Sequence, residues 1–163
     1  MTERSTQHGS FTIERRFDAT PAQVFKAWAD PAAKARWFAG PPDVKETLRE
    51  QDFRIGGRER LTASWPGGRV SAFDARYWDI VPDRRIVYTY DMHIDGKRIS
   101  VSLATVVFEA AGAGTRMSFT EQAVFLDGYD DAGSRERGTR WLLDKLEAAV
   151  SSRPSTTIPH PAN

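Results

Sequence analysis

The sequence predicts an α+β fold in which a meander of antiparallel strands is kept apart from a few helices, and three observations predict it. Between Val44 and Phe125, the breaks Gly56-Gly57, Pro66-Gly67-Gly68, Pro82-Asp83, Asp95-Gly96 and Gly112-Ala113-Gly114 separate runs rich in Val, Ile, Tyr, Phe and Thr. From about Gly133 to Val150 no such break occurs, and Leu142, Leu143, Leu146, Ala149 and Val150 form one broad apolar helical face. Before the meander, Thr20-Pro21-Ala22-Gln23 carries a helix-start signature. A block of strands bounded by helices segregates the helices from the sheet.

The first element, Ser10 to Phe17, alternates Phe11, Ile13 and Arg15 against Thr12, Glu14 and Arg16, so it reads as a strand. In the helix that follows, Thr20 is placed to cap, Pro21 suits the first helical position and Gln23 completes a capping box. Val24, Phe25 and Trp28 give it an apolar side. Asp30-Pro31 stops it and starts a second short helix ending at Trp37-Phe38, before Gly40-Pro41-Pro42 breaks the pattern. The meander then supplies six strands, making about seven in all, and the last element is the long helix. Residues 1–9 are small and polar and residues 152–163 carry three prolines among Ser and Thr, so both read as disordered tails around one domain, residues 10–151.

A chain of 163 residues is long enough to bury a single core. Its 23 basic and 22 acidic residues leave a formal charge of +1 and are scattered, which excludes the basic footprint of a nucleic-acid or anionic-membrane binder. Cysteine is absent, so a disulfide framework, a thiolate zinc site and a cysteine nucleophile are excluded. No apolar run long enough for a signal peptide or a membrane span is present, and a cytoplasmic location is expected. The glycine pairs of "FRIGGRERLTASWPGGR", residues 53–69, suggest a phosphate loop, but no lysine follows them and strand pattern comes next. His8 and His160 fall in the tails and His93 lies beside a hairpin, so no metal site and no cofactor is expected. "FLDGYDDAG" has acids without the spacing or final glutamate of a calcium loop, and reads as a turn leading into the last helix.

Taken in order, "DATPAQVFKAWADPAAKARWF", "FRIGGRERL", "DIVPDRRIVYTYDM", "GTRMSFTEQAVFLDG" and "RERGTRWLLDKLEAAV" resemble the START-like (SRPBCC) superfamily. More narrowly, they resemble its bacterial branch named after the activator of the heat-shock chaperone ATPase. The resemblance spans roughly residues 10–150. It implies a helix-grip fold: a curved antiparallel sheet of about seven strands wraps the C-terminal helix and leaves a pocket between them. No reaction is implied, because superfamily members bind lipids, hormones or aromatics and some are enzymes.

Strand parity then selects candidate pocket residues. Glu59, Leu61 and Ala63 share one face, and Met117, Phe119, Glu121 and Ala123 another, so two acids fall on apolar sides. Tyr88, Tyr90 and Met92 share a third such face with Ile86. Trp37, Trp65, Phe73, Tyr77 and Trp141 are candidate aromatic lining. Gly138, inside the last helix, costs roughly 1 kcal/mol against alanine; it either leaves room for a ligand or for close contact with the sheet, or is tolerated by fraying near the helix start. A carboxyl in an apolar pocket suits acid–base work or the grip of a polar ligand group; the competing expectation pairs each acid with an arginine or places it in water at the pocket mouth.

Three function classes follow. The leading one is a binding protein for a small hydrophobic molecule. The second is an enzyme, a cyclase, lyase or hydrolase using Glu59 and Glu121. The third, suggested by the family name, is a chaperone-ATPase accessory protein; the single domain seen here, without the eukaryotic activator's extra N-terminal chaperone-binding domain, counts against it. The strand "ISVSLATVVFE" is apolar on both faces, and a homodimer packing on its outer face is a further expectation.

Overall fold

A computed structural model describes residues 4–151. Seven strands form one antiparallel sheet in the order β1-β7-β6-β5-β4-β3-β2. They are β1 (Thr6–Phe17), β2 (Lys45–Gln51), β3 (Arg58–Ser64), β4 (Val70–Val81), β5 (Arg85–Ile94), β6 (Lys97–Ala111) and β7 (Gly114–Leu126). Helices α1 (Pro21–Ala29) and α2 (Pro31–Lys34) join β1 to β2, and α3 (Ala132–Val150) closes the domain. The sheet curves around α3, which is the helix-grip arrangement. Bulges at Glu46/Leu48, Tyr77/Asp79 and Met92/His93 bend the strands and sharpen that curvature.

The chain ends of each helix follow from its capping chemistry. Thr20 Oγ1 accepts from the Gln23 amide at 3.2 Å while Gln23 Oε1 accepts from the Thr20 amide at 2.9 Å, so α1 starts where the capping box lies. Asp131 caps α3, its Oδ1 accepting from the Ser134 amide at 2.8 Å, and these bonds hold its carboxyl below the usual aspartate range. The second helix is shorter than the sequence pattern suggests, ending at Lys34; Trp37 and Phe38 follow in a turn that carries them inward.

One strand boundary also differs from expectation. The first strand begins at Thr6, four residues before Ser10, because Thr6–Gly9 pair with Leu126–Ala123 of β7. Backbone pairing along that neighbour, with no apolar pattern of its own, draws the polar segment into the sheet, so residues 6–9 of the expected N-terminal tail form part of β1. The expected C-terminal tail, residues 152–163, lies outside the described residues. On α3, Trp141, Leu143 and Leu146 are buried and Val150 packs against the core, whereas Ala149 is exposed.

The double glycine has a steric cause. A Cβ at Gly57 would stand 2.0 Å from the Asp52 carbonyl oxygen, and Gly56 has φ +84°. This tight passage lets the Gly56 amide donate to Tyr77 O at 2.7 Å and Gly57 O accept from the Tyr77 amide at 3.0 Å. The chain thereby enters β3 with Glu59 facing inward.

Candidate functional site

A cavity of about 500 Å³ lies between the inner face of the sheet, α3 and the turn after α2. Each wall follows from an element's periodicity. The sheet contributes Leu61 and Ala63 from β3, Phe73 from β4, Tyr88, Tyr90 and Met92 from β5, and Phe119 and Glu121 from β7, all at inward parity. Helix α3 contributes Arg135, Gly138, Trp141 and Leu142, which recur at helical spacing. The turn contributes Trp37 and Phe38, with Trp28 of α1 behind them. Exposed Arg69, Arg137 and Tyr129 lie at its solvent side.

The aromatic wall is fixed by mutual contacts. Trp37 Nε1 donates to Ala27 O at 2.8 Å, and its ring meets Trp28 edge-on at 4.8 Å. Phe38 meets Phe73 at 5.0 Å and Phe73 meets Tyr90 at 4.9 Å. Such offset and edge-to-face pairs add to the stabilisation that burial gives, so this wall is a rigid surface rather than loose core. At Gly138 a Cβ would meet nothing within 4 Å, so the missing side chain leaves space that belongs to the cavity.

Two buried polar networks stand at this wall. In the first, Arg135 of α3, Tyr90, Ser102 of β6 and Glu121 converge. Glu121 Oε2 accepts from Ser102 Oγ at 2.7 Å, Tyr90 OH at 2.8 Å and Arg135 Nη1 at 3.1 Å. Arg135 also donates to Ser100 Oγ at 2.7 Å and to Asp130 at 3.1 Å. Burial pushes the Tyr90 hydroxyl well above the usual tyrosine range, so it remains a donor to the carboxylate. The expectation that an arginine pairs with Glu121 is met, and the same carboxylate still lines the cavity.

The second network sits behind the wall. Lys34 Nζ donates to Glu59 Oε1 at 2.6 Å, and Tyr77 OH donates to the same oxygen. Gln51 Nε2 donates to Tyr77 OH at 3.0 Å and to Trp28 O at 2.8 Å. Lys34 is 2 % and Glu59 3 % exposed, so both charges are removed from water. The ammonium lies 4.6 Å from the Phe38 ring and 5.5 Å from the Trp28 ring. Burial lowers the Lys34 pKa despite the attraction of Glu59, and burial raises that of Tyr77.

Of the residues that the sequence nominates, Trp37, Leu61, Phe73, Tyr88, Tyr90, Met92, Phe119, Glu121 and Trp141 line the cavity, as does Trp65. Glu59 and Tyr77 do not: Lys34, whose ammonium lies against the rings of Trp28 and Phe38, holds Glu59 in an ion pair. The partner of Glu59 is this lysine rather than an arginine. Lys34 gives no one-dimensional signal in "DPAAKARWF"; its helix is one turn long. Arg135 and Ser102 were readable: Arg135 lies seven residues before Leu142 on one helical face, and Ser102 shares parity with Ala104 and Val106. Among the described residues, no group of three or more His, Asp or Glu side chains is placed to hold a metal ion. No helix among them is long and apolar enough to cross a membrane.

Known structures share this architecture. The chain is similar to an uncharacterized protein from Rhizobium leguminosarum at 48 % identity and TM-score 0.87, over 91 % of this chain and 98 % of that one. A protein from Rhizobium loti is 44 % identical with TM-score 0.81, over 89 % and 99 %. The AHSA1-like protein from Aeromonas hydrophila, at 20 % identity and TM-score 0.69 over 91 % and 100 %, shares the fold. No curated protein matches the sequence. Residues 18–151 match the Activator of Hsp90 ATPase homolog 1-like protein family. With that match covering most of the domain, the chain belongs to this family, a START-like branch with the helix-grip fold.

Proposed function

We propose that this protein binds a small hydrophobic or aromatic molecule in the cavity between the sheet and α3, acting in the cytoplasm without a cofactor. The observation that carries this reading is the cavity itself: about 500 Å³, walled by Trp37, Phe38, Phe73, Tyr88 and Trp141, with a helix position, Gly138, kept empty beside it. Natural ligand pockets fall in the range of roughly 300–1,000 Å³ and combine such apolar walls with a few fixed polar groups. The polar group here is Glu121 with its Arg135, Tyr90 and Ser102 partners.

A two-acid enzyme is less well supported. Glu59 is committed to Lys34 and Tyr77 away from the cavity, so Glu121 would have to act without the second carboxyl. Stimulation of a chaperone ATPase has no feature of this site in its favour. Phenanthrene, titrated into the purified protein and followed by its fluorescence and by the melting temperature, tests the binding reading. Saturable binding with a raised melting temperature is expected, and a flat response up to the solubility limit contradicts it.

Homodimer formation is a separate proposal, supported by Val101 and Leu103, exposed at 42 % and 37 % on the outer face of β6. Sedimentation equilibrium yielding a dimer mass that reverts to monomer in Leu103→Glu supports it; monomer mass in the wild type rejects it.

A further inference from the structure

Two buried side-chain polar atoms among the described residues have no hydrogen-bond partner, Glu121 Oε1 and Trp28 Nε1. Both side chains belong to the wall of the same cavity. Buried polar atoms are satisfied in the great majority of cases, so two exceptions on one wall mark a polar demand that the chain itself does not meet. The contrast within Glu121 is informative. Its Oε2 takes three donors, from Ser102, Tyr90 and Arg135, while its Oε1 takes none, although the side chain is 1 % exposed.

The charge of the missing group follows from the neighbours. Arg135 is shared between Glu121 and Asp130, at 3.1 Å from each, and its Nη1 already meets Glu121 on the Oε2 side. A second cation would be repelled by the guanidinium, and a ligand carboxylate would meet the lone pairs of Oε1. A neutral O–H or N–H satisfies the oxygen without either conflict. The rest of the wall, Trp37, Phe73, Tyr88 and Trp141, fits a flat apolar body. We infer that the ligand is a neutral aromatic molecule carrying a hydroxyl or N–H group that donates to Glu121 Oε1. This inference rests on the ligand-binding reading above and adds the chemical class.

The test is a matched pair of probes, 9-phenanthrol and 9-methoxyphenanthrene, titrated at pH 7 by fluorescence and calorimetry. They share one ring system and differ in the donor. Hydrogen bonds to charged groups and sites built around a hydroxyl predict that the phenol binds at least ten-fold more tightly than its methyl ether. In Glu121→Gln, the three donors facing Oε2 hold the amide oxygen there, which places the NH₂ at the Oε1 position. The acceptor becomes a donor, and the ratio should fall to within about two-fold. A crystal of the wild-type complex supplies a reading independent of that variant's folding: the phenol oxygen should lie within hydrogen-bond distance of Glu121 Oε1. Equal binding of the two probes by the wild type, or a hydroxyl placed elsewhere, overturns this inference and leaves the cavity reading intact. Binding of neither probe overturns both.

Discussion

The Lys34–Glu59 pair is the residue whose energetics are most sharply defined. Breaking a buried ion pair leaves an uncompensated charge, which costs about 3–5 kcal/mol, whereas replacing both partners by apolar groups is near neutral. Glu59→Gln should therefore lower the urea midpoint strongly, while Lys34→Met combined with Glu59→Leu should recover most of the loss. A small effect of Glu59→Gln would show that the pair is not closed in solution. Strand parity made the inward direction of Glu59 legible, but its partner was not, because Lys34 reaches it only through the tertiary placement of a one-turn helix. Glu121 was legible on both counts, by parity on β7 and by the expectation of an arginine.

The buried tyrosines set a pH limit. Burial holds Tyr77, Tyr88 and Tyr90 above the ordinary tyrosine pKa, so the folded state keeps protons that the unfolded chain releases near pH 10. Stability is therefore present in full below pH 10 and is lost as pH rises beyond it, by about 1.4 kcal/mol per pH unit for each tyrosine. Lys34 acts in the opposite sense: its folded pKa is depressed, so it adds stability as pH rises towards the unfolded lysine value and nothing beyond. Three groups outweigh one. Urea midpoints should drop steeply between pH 10 and 11, and a constant midpoint across that interval would contradict the buried tyrosines.

At the scale of elements, two glycines with opposite expectations separate steric need from reserved space. Gly57→Ala drives a Cβ into the Asp52 carbonyl at the entry to β3, and should destabilise by more than about 1 kcal/mol. Gly138→Ala meets open space in the middle of α3 and should stabilise by up to about 1 kcal/mol, as helix propensity dictates. Thermal denaturation of both variants checks the signs, and equal effects would refute the distinction. Turn chemistry and capping made the element order readable, since Thr20, Pro21 and the glycine breaks act within a few residues of themselves. The early start of β1 and the exposed Ala149 were not readable: the first depends on the partner residues Ala123–Leu126, the second on which side of the last helical turn meets the core.

For the whole molecule, the curved sheet and α3 enclose more volume than their side chains fill, and the family resemblance carried by motifs across residues 10–150 anticipated that pocket. What no one-dimensional pattern could supply was which acid would face it, because that depended on Lys34 closing one side and Arg135 anchoring the other. The central claim is that the space beside Gly138 is a ligand site. Its most direct test is calorimetric titration of 9-phenanthrol into the wild type and into Gly138→Leu, a variant that fills the space while improving the helix. Saturable binding by the wild type with a negative heat-capacity change, and at least ten-fold weaker binding by the folded variant, is the predicted result. Undiminished binding in Gly138→Leu, or no heat from the wild type at all, would contradict it.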